Sequence, residues 1–282
     1  MSIISISVSG NNHMNNIKTN RVVLITGESS GFGLEMAKLF IANGDIVCGL
    51  STHEFEMENV YHQVGDISKE EDCHRIVKNI IDKYGRIDVL MNNAGFGIFS
   101  PIEETTLEKA KRQMDVTFFG SFLMAKEVLP YMRKQGGGKI INTSSIGSLI
   151  PLPFQAFYSA SKASMDTLFD ALRAEVYPYK IQICSLKPGD AKTEFTKKRQ
   201  SGLLSSSSPY QKAFEHCLKS VSKDEQNGTS ARKIAYKAFK ISKRKKMPYS
   251  KKIGFKDSFL SCIYYLLPKR IRNYLLYKIY AE

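Results

Sequence analysis

Arg21-Val22-Val23-Leu24-Ile25-Thr26-Gly27-Glu28-Ser29-Ser30-Gly31-Phe32-Gly33 is the stretch from which the fold can be read. Val22–Val23–Leu24–Ile25 is a continuous apolar run of the kind buried on both faces of a parallel sheet. A glycine-rich turn follows, then helical spacing in Leu34, Ala37, Phe40 and Ile41, stopped by Asn43-Gly44. Strand, glycine turn and helix together suit phosphate binding. The glycines let the backbone turn sharply and come close to a ligand, and the helix N-terminus offers free N–H groups and positive potential. A plain strand-to-helix loop has the same outward form, but the position directly after an apolar strand favours the phosphate reading.

The alternation continues outward from there. Ile46–Leu50 and Tyr61–Val64 read as strands, and Cys73, Ile76, Val77, Ile80 and Ile81 give Lys69–Tyr84 a helical face that Gly85 ends. Val89–Leu90–Met91 leads into Asn92-Asn93-Ala94-Gly95, a long helical region runs from Leu107 to Arg133, and Lys139–Asn142 is the next strand. Phe157–Tyr177 is helical, and Ile181–Leu186 is a strand ending at Pro188-Gly189. This order predicts an α/β fold: a single-domain, Rossmann-type, doubly wound parallel sheet with helices on both faces. Residues 1–20 read as a poorly ordered extension in which Met14 is an alternative start, and 21–282 as one domain. Within it, 197–282 forms a small, irregular, helical region over the substrate site. That region holds helical stretches at Tyr210–Val221 and Ser230–Ser242, then two amphipathic segments, Phe259–Leu267 and Ile271–Tyr280, split by Pro268.

Charge divides the chain unevenly. Through Thr196 there are 20 Lys/Arg against 22 Asp/Glu; from Lys197 onward there are 21 against 5, a balance of +16. The last third therefore suits an anionic partner, with a solvated lysine-rich surface as the plain alternative. Contact with an anionic membrane surface through this tail is one expectation; cover for the substrate pocket or a subunit interface is the other. Nucleic acid ranks last, because no recognition motif accompanies the Lys243–Lys246 run. Five scattered cysteines without metal-ligand spacing argue against a disulfide framework or a zinc site and fit a reducing, cytoplasmic setting. No apolar run approaches the ~20 residues of a spanning helix.

Tyr158-x-x-x-Lys162 places two side chains on one helical face. A nearby ammonium favours a phenolate and brings a tyrosine nearer to useful acid–base chemistry. Alone the pair is no more than an amphipathic helix face, but Ser145 lies thirteen residues earlier, after a strand. From Thr26-Gly27-x-x-x-Gly31-x-Gly33 through Asn92-Asn93-Ala94-Gly95, Ser145…Tyr158…Lys162 and Pro188-Gly189-x-x-x-Thr193, the chain resembles the short-chain dehydrogenase/reductase family, and its tail is similar to that of the hydroxysteroid and retinol dehydrogenase-like members.

The resemblance implies an oxidoreductase moving a hydride between a nicotinamide nucleotide and a carbonyl or alcohol. Ser145 would hydrogen-bond the substrate oxygen, Tyr158 would exchange its proton, and Lys162 would hold the nicotinamide ribose and lower the tyrosine pKa. Cofactor contacts are implied for Thr26, Gly27, Ser29, Ser30, Gly31, Phe32 and Gly33, for Asp66 and Ile67 at the adenine, and for Asn92, Ala94, Gly95, Pro188, Gly189 and Thr193. Ser51 and Thr52 stand where an acid would select NAD(H), so NADP(H) is favoured and NAD(H) stays open. Thr117 occupies the place of the family's fourth catalytic residue, an Asn, which leaves a catalytically impaired, nucleotide-binding regulator as the alternative function. Glu28, where the family has a small residue, is expected to point to solvent or to pair with a base. Phe99, Ile146, Leu152, Phe154 and Phe195 are candidate walls for a lipophilic steroid-, retinoid- or acyl-lipid-like substrate, with ordinary core packing as the alternative. Homodimers or homotetramers are the family's usual assemblies.

Overall fold

The run Val22–Thr26 forms strand β1, wholly buried, with successive side chains directed to opposite faces of one sheet. The computed structural model describes residues 20–192, 200, 201, 204 and 207–282. Its strands are β1, β2 (Ile46–Ser51), β3 (Val60–Val64), β4 (Val89–Asn92), β5 (Ile98–Phe99), β6 (Gly138–Thr143), β7 (Ile181–Pro188), β8 (Ala191–Lys192), β9 (Gln200–Ser201), β10 (Thr229–Ser230) and β11 (Ser250–Ile253). The main sheet runs β3-β2-β1-β4-β6-β7-β11, every neighbouring pair parallel. Two short parallel pairs, β5 with β9 and β8 with β10, lie outside it.

Helices α1 (Gly31–Ala42), α2 (Glu70–Tyr84), α3 (Leu107–Met114), α4 (Gly120–Lys134), α5 (Ala156–Glu175), α6 (Gln211–Gln226), α7 (Ala231–Ser242), α8 (Phe255–Leu266) and α9 (Lys269–Tyr280) complete the described chain. The alternation within β1 sorts them. Val22 and Leu24 meet Ile76, Val77 and Ile80 of α2, Met124 and Val128 of α4 and Phe169 of α5. Val23 and Ile25 meet Met36 and Phe40 of α1 and Ile234 and Ala238 of α7 on the other face. Helices thus cover both faces of a doubly wound sheet, as expected from the sequence.

Two features differ from the sequence reading. The helical region from Leu107 onward is broken at Asp115–Phe119 by a π-helical turn that divides α3 from α4. β11 is a seventh strand that carries no apolar run: of Ser250-Lys251-Lys252-Ile253 only Ile253 is buried. It pairs along one side with β7, and its lysines suit an exposed sheet edge. No helix among the described residues is long and apolar enough to cross a membrane.

Candidate active site

Strand order reverses at β1, which lies between β2 and β4, and the carboxyl ends of these strands open into a cavity of about 620 Å³. Thr26 closes the crevice from beneath. Its Oγ1 accepts hydrogen bonds from the backbone N–H groups of Asn93 and Ala94, both at 3.0 Å, while Asn93 Nδ2 donates back to the Thr26 and Gly27 carbonyls at 3.0 and 3.3 Å. The β1 turn and the β4 turn are therefore locked together. Gly27 has φ +72°, and a Cβ there would sit 3.0 Å from Ala94 Cα; a Cβ on Gly33 would overlap the Gly27 carbonyl. Only glycine permits this close approach, which leaves a backbone cradle at the N-terminus of α1. The residues present fit a dinucleotide.

Gly27, Ser29, Ser30, Gly31 and Phe32 line the cavity at that cradle, with Ser51, Thr52, Asp66, Ile67, Ala94, Gly95, Pro188 and Gly189. Thr26, Gly33 and Asn92 stand behind it; Asn92 Nδ2 donates to Ser121 O and to Asn142 Oδ1. Thr193 lies outside the described residues. Asp66 accepts from Ser68 N and Oγ and from Arg112 Nη2 at 2.8 Å. Burial opposes its ionisation, but the Ser68 and Arg112 bonds outweigh that and hold its carboxyl below the usual range.

Glu28 pairs with a base, inside the protein. It is fully buried beneath β2, where Gly49 leaves the space, and its Oε1 lies 2.5 Å from Nδ1 of His62 on β3. His62 Nε2 reaches His53 O at 3.0 Å, and Ser51 Oγ donates to the same carbonyl at 2.9 Å. Burial raises the Glu28 pKa against the pull of its hydrogen bonds, those of His62 among them.

Ser145, Tyr158 and Lys162 come together in the lining of the same cavity. A Cβ on Gly147 would fall 3.3 Å from Ser145 Oγ and 3.4 Å from Tyr158 Cε1, so the two side chains flank this glycine. Ser145 Oγ accepts from Gly147 N at 2.9 Å. Lys162 Nζ donates to Thr143 O at 2.6 Å and sits 6.0 Å from the Tyr158 ring centre. Burial pushes the Lys162 ammonium down to about 8, with the Asp166 carboxylate pulling the other way. Ser144, the neighbouring hydroxyl, also borders the cavity, but its Oγ donates to Asp166 Oδ2 at 2.9 Å.

Asp166, Lys187 and Gln113, which the sequence reading did not single out, lie beside the candidate residues. Asp166 and Lys187, both nearly fully buried, form an ion pair beside Lys162, and Lys187 Nζ also donates to Ser148 Oγ at 3.2 Å. Thr117 is fully buried within the π-helical turn, and its Oγ1 accepts from Gln113 Nε2 at 2.9 Å. Gln113 Oε1 in turn accepts from Ile98 N at 3.1 Å. A Cβ on Gly95 would lie 3.6 Å from Thr117 Oγ1 and 3.7 Å from Lys162 Nζ, so both groups border the same point.

Of the proposed apolar walls, Ile146 and Leu152 line the cavity, with Ile150, Val221, Leu260, Ile263, Leu267, Leu276 and Ile279. Phe99 and Phe154 instead pack on Phe214 of α6, ring centres 5.1 and 5.7 Å from it, in a separate cluster. Phe195 lies outside the described residues.

The family profile described as short chain dehydrogenase matches residues 21–203. The chain is 42% identical over 236 residues to the 3-ketodihydrosphingosine reductase of Bacteroides thetaiotaomicron, covering 83% of this chain and 88% of that one. It is 31% identical over 252 residues to the probable short-chain type dehydrogenase/reductase VdlC of Helicobacter pylori, covering 88% and 93%. Among solved structures, a short-chain dehydrogenase from Streptomyces avermitilis superposes with a TM-score of 0.78 at 26% identity over 92% of this chain and 96% of that one. With the β1 cradle and the Ser145–Tyr158–Lys162 wall, these likenesses place the chain in the short-chain dehydrogenase/reductase family, as an NAD(P)-dependent oxidoreductase.

Proposed function

We propose that this enzyme interconverts a lipophilic ketone or aldehyde and its alcohol, with NADP(H) as the preferred nucleotide and NAD(H) as the alternative. The observation that carries the reading is the shared cavity: Ser145, Tyr158 and Lys162 face the same space as a wall of Ile146, Leu152, Ile263, Leu267 and Leu276. A long-chain, acyl-derived ketone is the first substrate to test, given the description of the Bacteroides relative.

A bound nicotinamide nucleotide supplies or accepts the hydride, and the remaining work falls to the chain. The Gly27–Gly33 turn and the α1 N-terminus would hold the pyrophosphate, Asp66 and Ile67 would border the adenine, and Ala94, Gly95, Pro188 and Gly189 would line the rest of the nucleotide site. Ser51, Thr52 and His53 line the cavity beyond β2, and none is acidic, which leaves room for a 2′-phosphate. The Gly147 N–H occupies a lone pair of Ser145 Oγ, so the serine proton is directed to the substrate oxygen. Tyr158 gives that oxygen its proton in reduction and takes it in oxidation. Lys162 holds the ribose and, while charged, stabilises the phenolate. We give the impaired-regulator alternative second place, because Thr117 Oγ1 is held in the π-helical turn by the Gln113 amide rather than left without a partner.

Self-association as a homodimer or homotetramer, a cytoplasmic setting and contact with an anionic membrane through the basic C-terminal region belong to the same proposal. The test is NADPH and NADH oxidation with short- and long-chain ketones, 3-ketodihydrosphingosine included, for wild type and Tyr158→Phe. Turnover that the variant loses is the expected result. No turnover with either nucleotide across the panel refutes the proposal.

A further inference from the structure

Helices α8 and α9 are apolar on two faces. Their inner faces give Leu260, Ile263, Leu267, Leu275, Leu276 and Ile279 to the cavity wall. Their outer faces leave large side chains in solvent: Phe259 at 58% exposure, Leu266 at 84%, Tyr274 at 58% and Tyr277 at 51%. None of these four lines the cavity. Exposed apolar surface concentrated on two adjoining helices marks a contact surface.

The accompanying charges choose the occupant. Lys269 and Arg270 stand exposed around these aromatics, Lys278 is tied to Glu282, and no other Asp or Glu occurs from Ser258 onward. Two copies of such a face would meet cation to cation, whereas an anionic surface complements it. Tyrosines beside Lys and Arg on short amphipathic helices are the composition of a bilayer interface, where the ring is half-immersed and the cation meets lipid phosphate. Each helix has only 12 residues, which suits lying along a membrane rather than spanning it. The Lys243–Lys246 run does not take part. Lys243 Nζ reaches Asn43, and Lys245 O accepts from Gln182 near the start of β7, so this run sits at the end of the sheet away from the cavity. The positive charge of the last third is therefore split between two ends of the molecule.

We propose that the outer faces of helices α8 and α9 dock on an anionic bilayer, placing the cavity wall they form at the lipid surface so that a membrane-borne substrate enters the cavity without crossing water. The docking gives a place to the membrane contact proposed above, and its purpose rests on the lipophilic substrate proposed there; flotation is measured without turnover.

The test is flotation of the full chain with phosphatidylcholine vesicles, with and without phosphatidylglycerol, at low and high salt. Partition onto the anionic vesicles is expected, weakened by salt and at least tenfold weaker for Leu266→Asp with Phe259→Asp. Lys269→Glu with Arg270→Glu changes only exposed side chains and is expected to show the same loss, which guards against misfolding of the first variant. Reduction of a short, water-soluble ketone by both variants is expected to match wild type. No flotation, or flotation that neither variant weakens, overturns the proposal. So does a wild-type dimer in solution that Leu266→Asp dissociates, since the face is then a self-interface. Absence of turnover with intact flotation counts against the proposed reaction and leaves docking supported.

Discussion

Removing one member of the buried Asp166–Lys187 pair separates what that pair does for stability from what it does for the reaction. Both residues are buried, Asp166 at 8% and Lys187 at 7% exposure. Asp166→Ala leaves the Lys187 ammonium with Ser148 Oγ and takes the acceptor from Ser144 Oγ. Breaking a buried ion pair from one side costs about 3–5 kcal/mol, and for a chain of this size that lowers Tm by about 5–8 °C. Replacing both partners, Asp166→Leu with Lys187→Met, removes the stranded charge and is expected to bring stability back to within ~1–2 kcal/mol of wild type.

Activity does not return with stability. Ser144 is anchored to Asp166, and Ser148, anchored to Lys187, donates to Ser145 O at 2.8 Å, so the network grips the backbone on both sides of Ser145. A shift of about 1 Å at a reacting group costs on the order of 100-fold. The double variant is therefore expected to melt like wild type while kcat falls by roughly 10- to 100-fold. In Asp166→Asn, loss of the carboxylate also removes the one influence that raises the Lys162 pKa against burial, so the alkaline limb of the pH–rate profile moves to lower pH. The measurements are urea unfolding followed by circular dichroism and steady-state kinetics on wild type, Asp166→Leu, Lys187→Met and the double variant, with Asp166→Ala and Asp166→Asn alongside. If Asp166→Ala loses less than ~1 kcal/mol, or the double variant is as unstable as the two singles added, the pair is not the coupled buried unit described here. A stable double variant with full kcat refutes the positioning role.

The remaining expectations concern single groups. Tyr158→Phe lowers kcat/KM by ~10²–10⁴-fold while the NADPH dissociation constant measured by calorimetry stays within a factor of a few; a matching loss of nucleotide affinity argues against a proton-transfer role. In wild type, kcat/KM for ketone reduction falls as pH rises through about 8, because Lys162 loses the charge that stabilises the forming Tyr158 phenolate; a profile flat across that range refutes the assignment. The raised Glu28 pKa means that its contribution to stability is complete below the ordinary 4.5 and is lost as pH rises through the raised folded-state value. Glu28→Gln therefore gains on wild type in urea midpoint between pH 4.5 and neutral pH, and an unchanged or reversed difference counts against a strained buried carboxylate. Thr52→Asp places a carboxylate at the cavity edge beyond β2 and shifts the NADPH-to-NADH ratio of kcat/KM toward NADH by about tenfold or more; an unaltered ratio removes Thr52 from the 2′-phosphate site.

What the sequence revealed, and what it hid, follows from the distance over which each feature is determined. Five strands of the main sheet announce themselves because burial on both faces demands apolar runs, whereas β3, half-buried at the other edge, shows only Val60, Tyr61 and Val64. β11 needs only one backbone edge from β7, and its lysines leave no apolar trace. The helix past Leu107 keeps its apolar period through Asp115–Phe119, so periodicity alone does not expose the π-helical turn. Tyr158 and Lys162 were legible because four residues on a helix determine which side chains share a face. Asp166 and Lys187 are 21 residues apart on different elements, and nothing local distinguishes a buried charge from a solvated one. Glu28 turns inward only because Gly49, on the neighbouring strand, leaves it room.

Thr117 is the instructive case. Read position by position, a threonine in place of an amide looks like a damaged relay. Gln113 lies four residues earlier, one helical turn away, and its Nε2 meets Thr117 Oγ1 while its Oε1 holds Ile98 N. The Gln113 amide also donates to Phe96 O at 3.0 Å, and it is the Thr117 Oγ1 it holds that lies next to Gly95 and Lys162. If that amide sustains the site, Gln113→Ala should lower kcat further than Thr117→Val does, and Thr117→Asn should bring no gain in wild type yet partly rescue Gln113→Ala. A gain from Thr117→Asn alone, with Gln113→Ala near wild type, shows instead that Gln113 is scaffolding and that the threonine limits the enzyme.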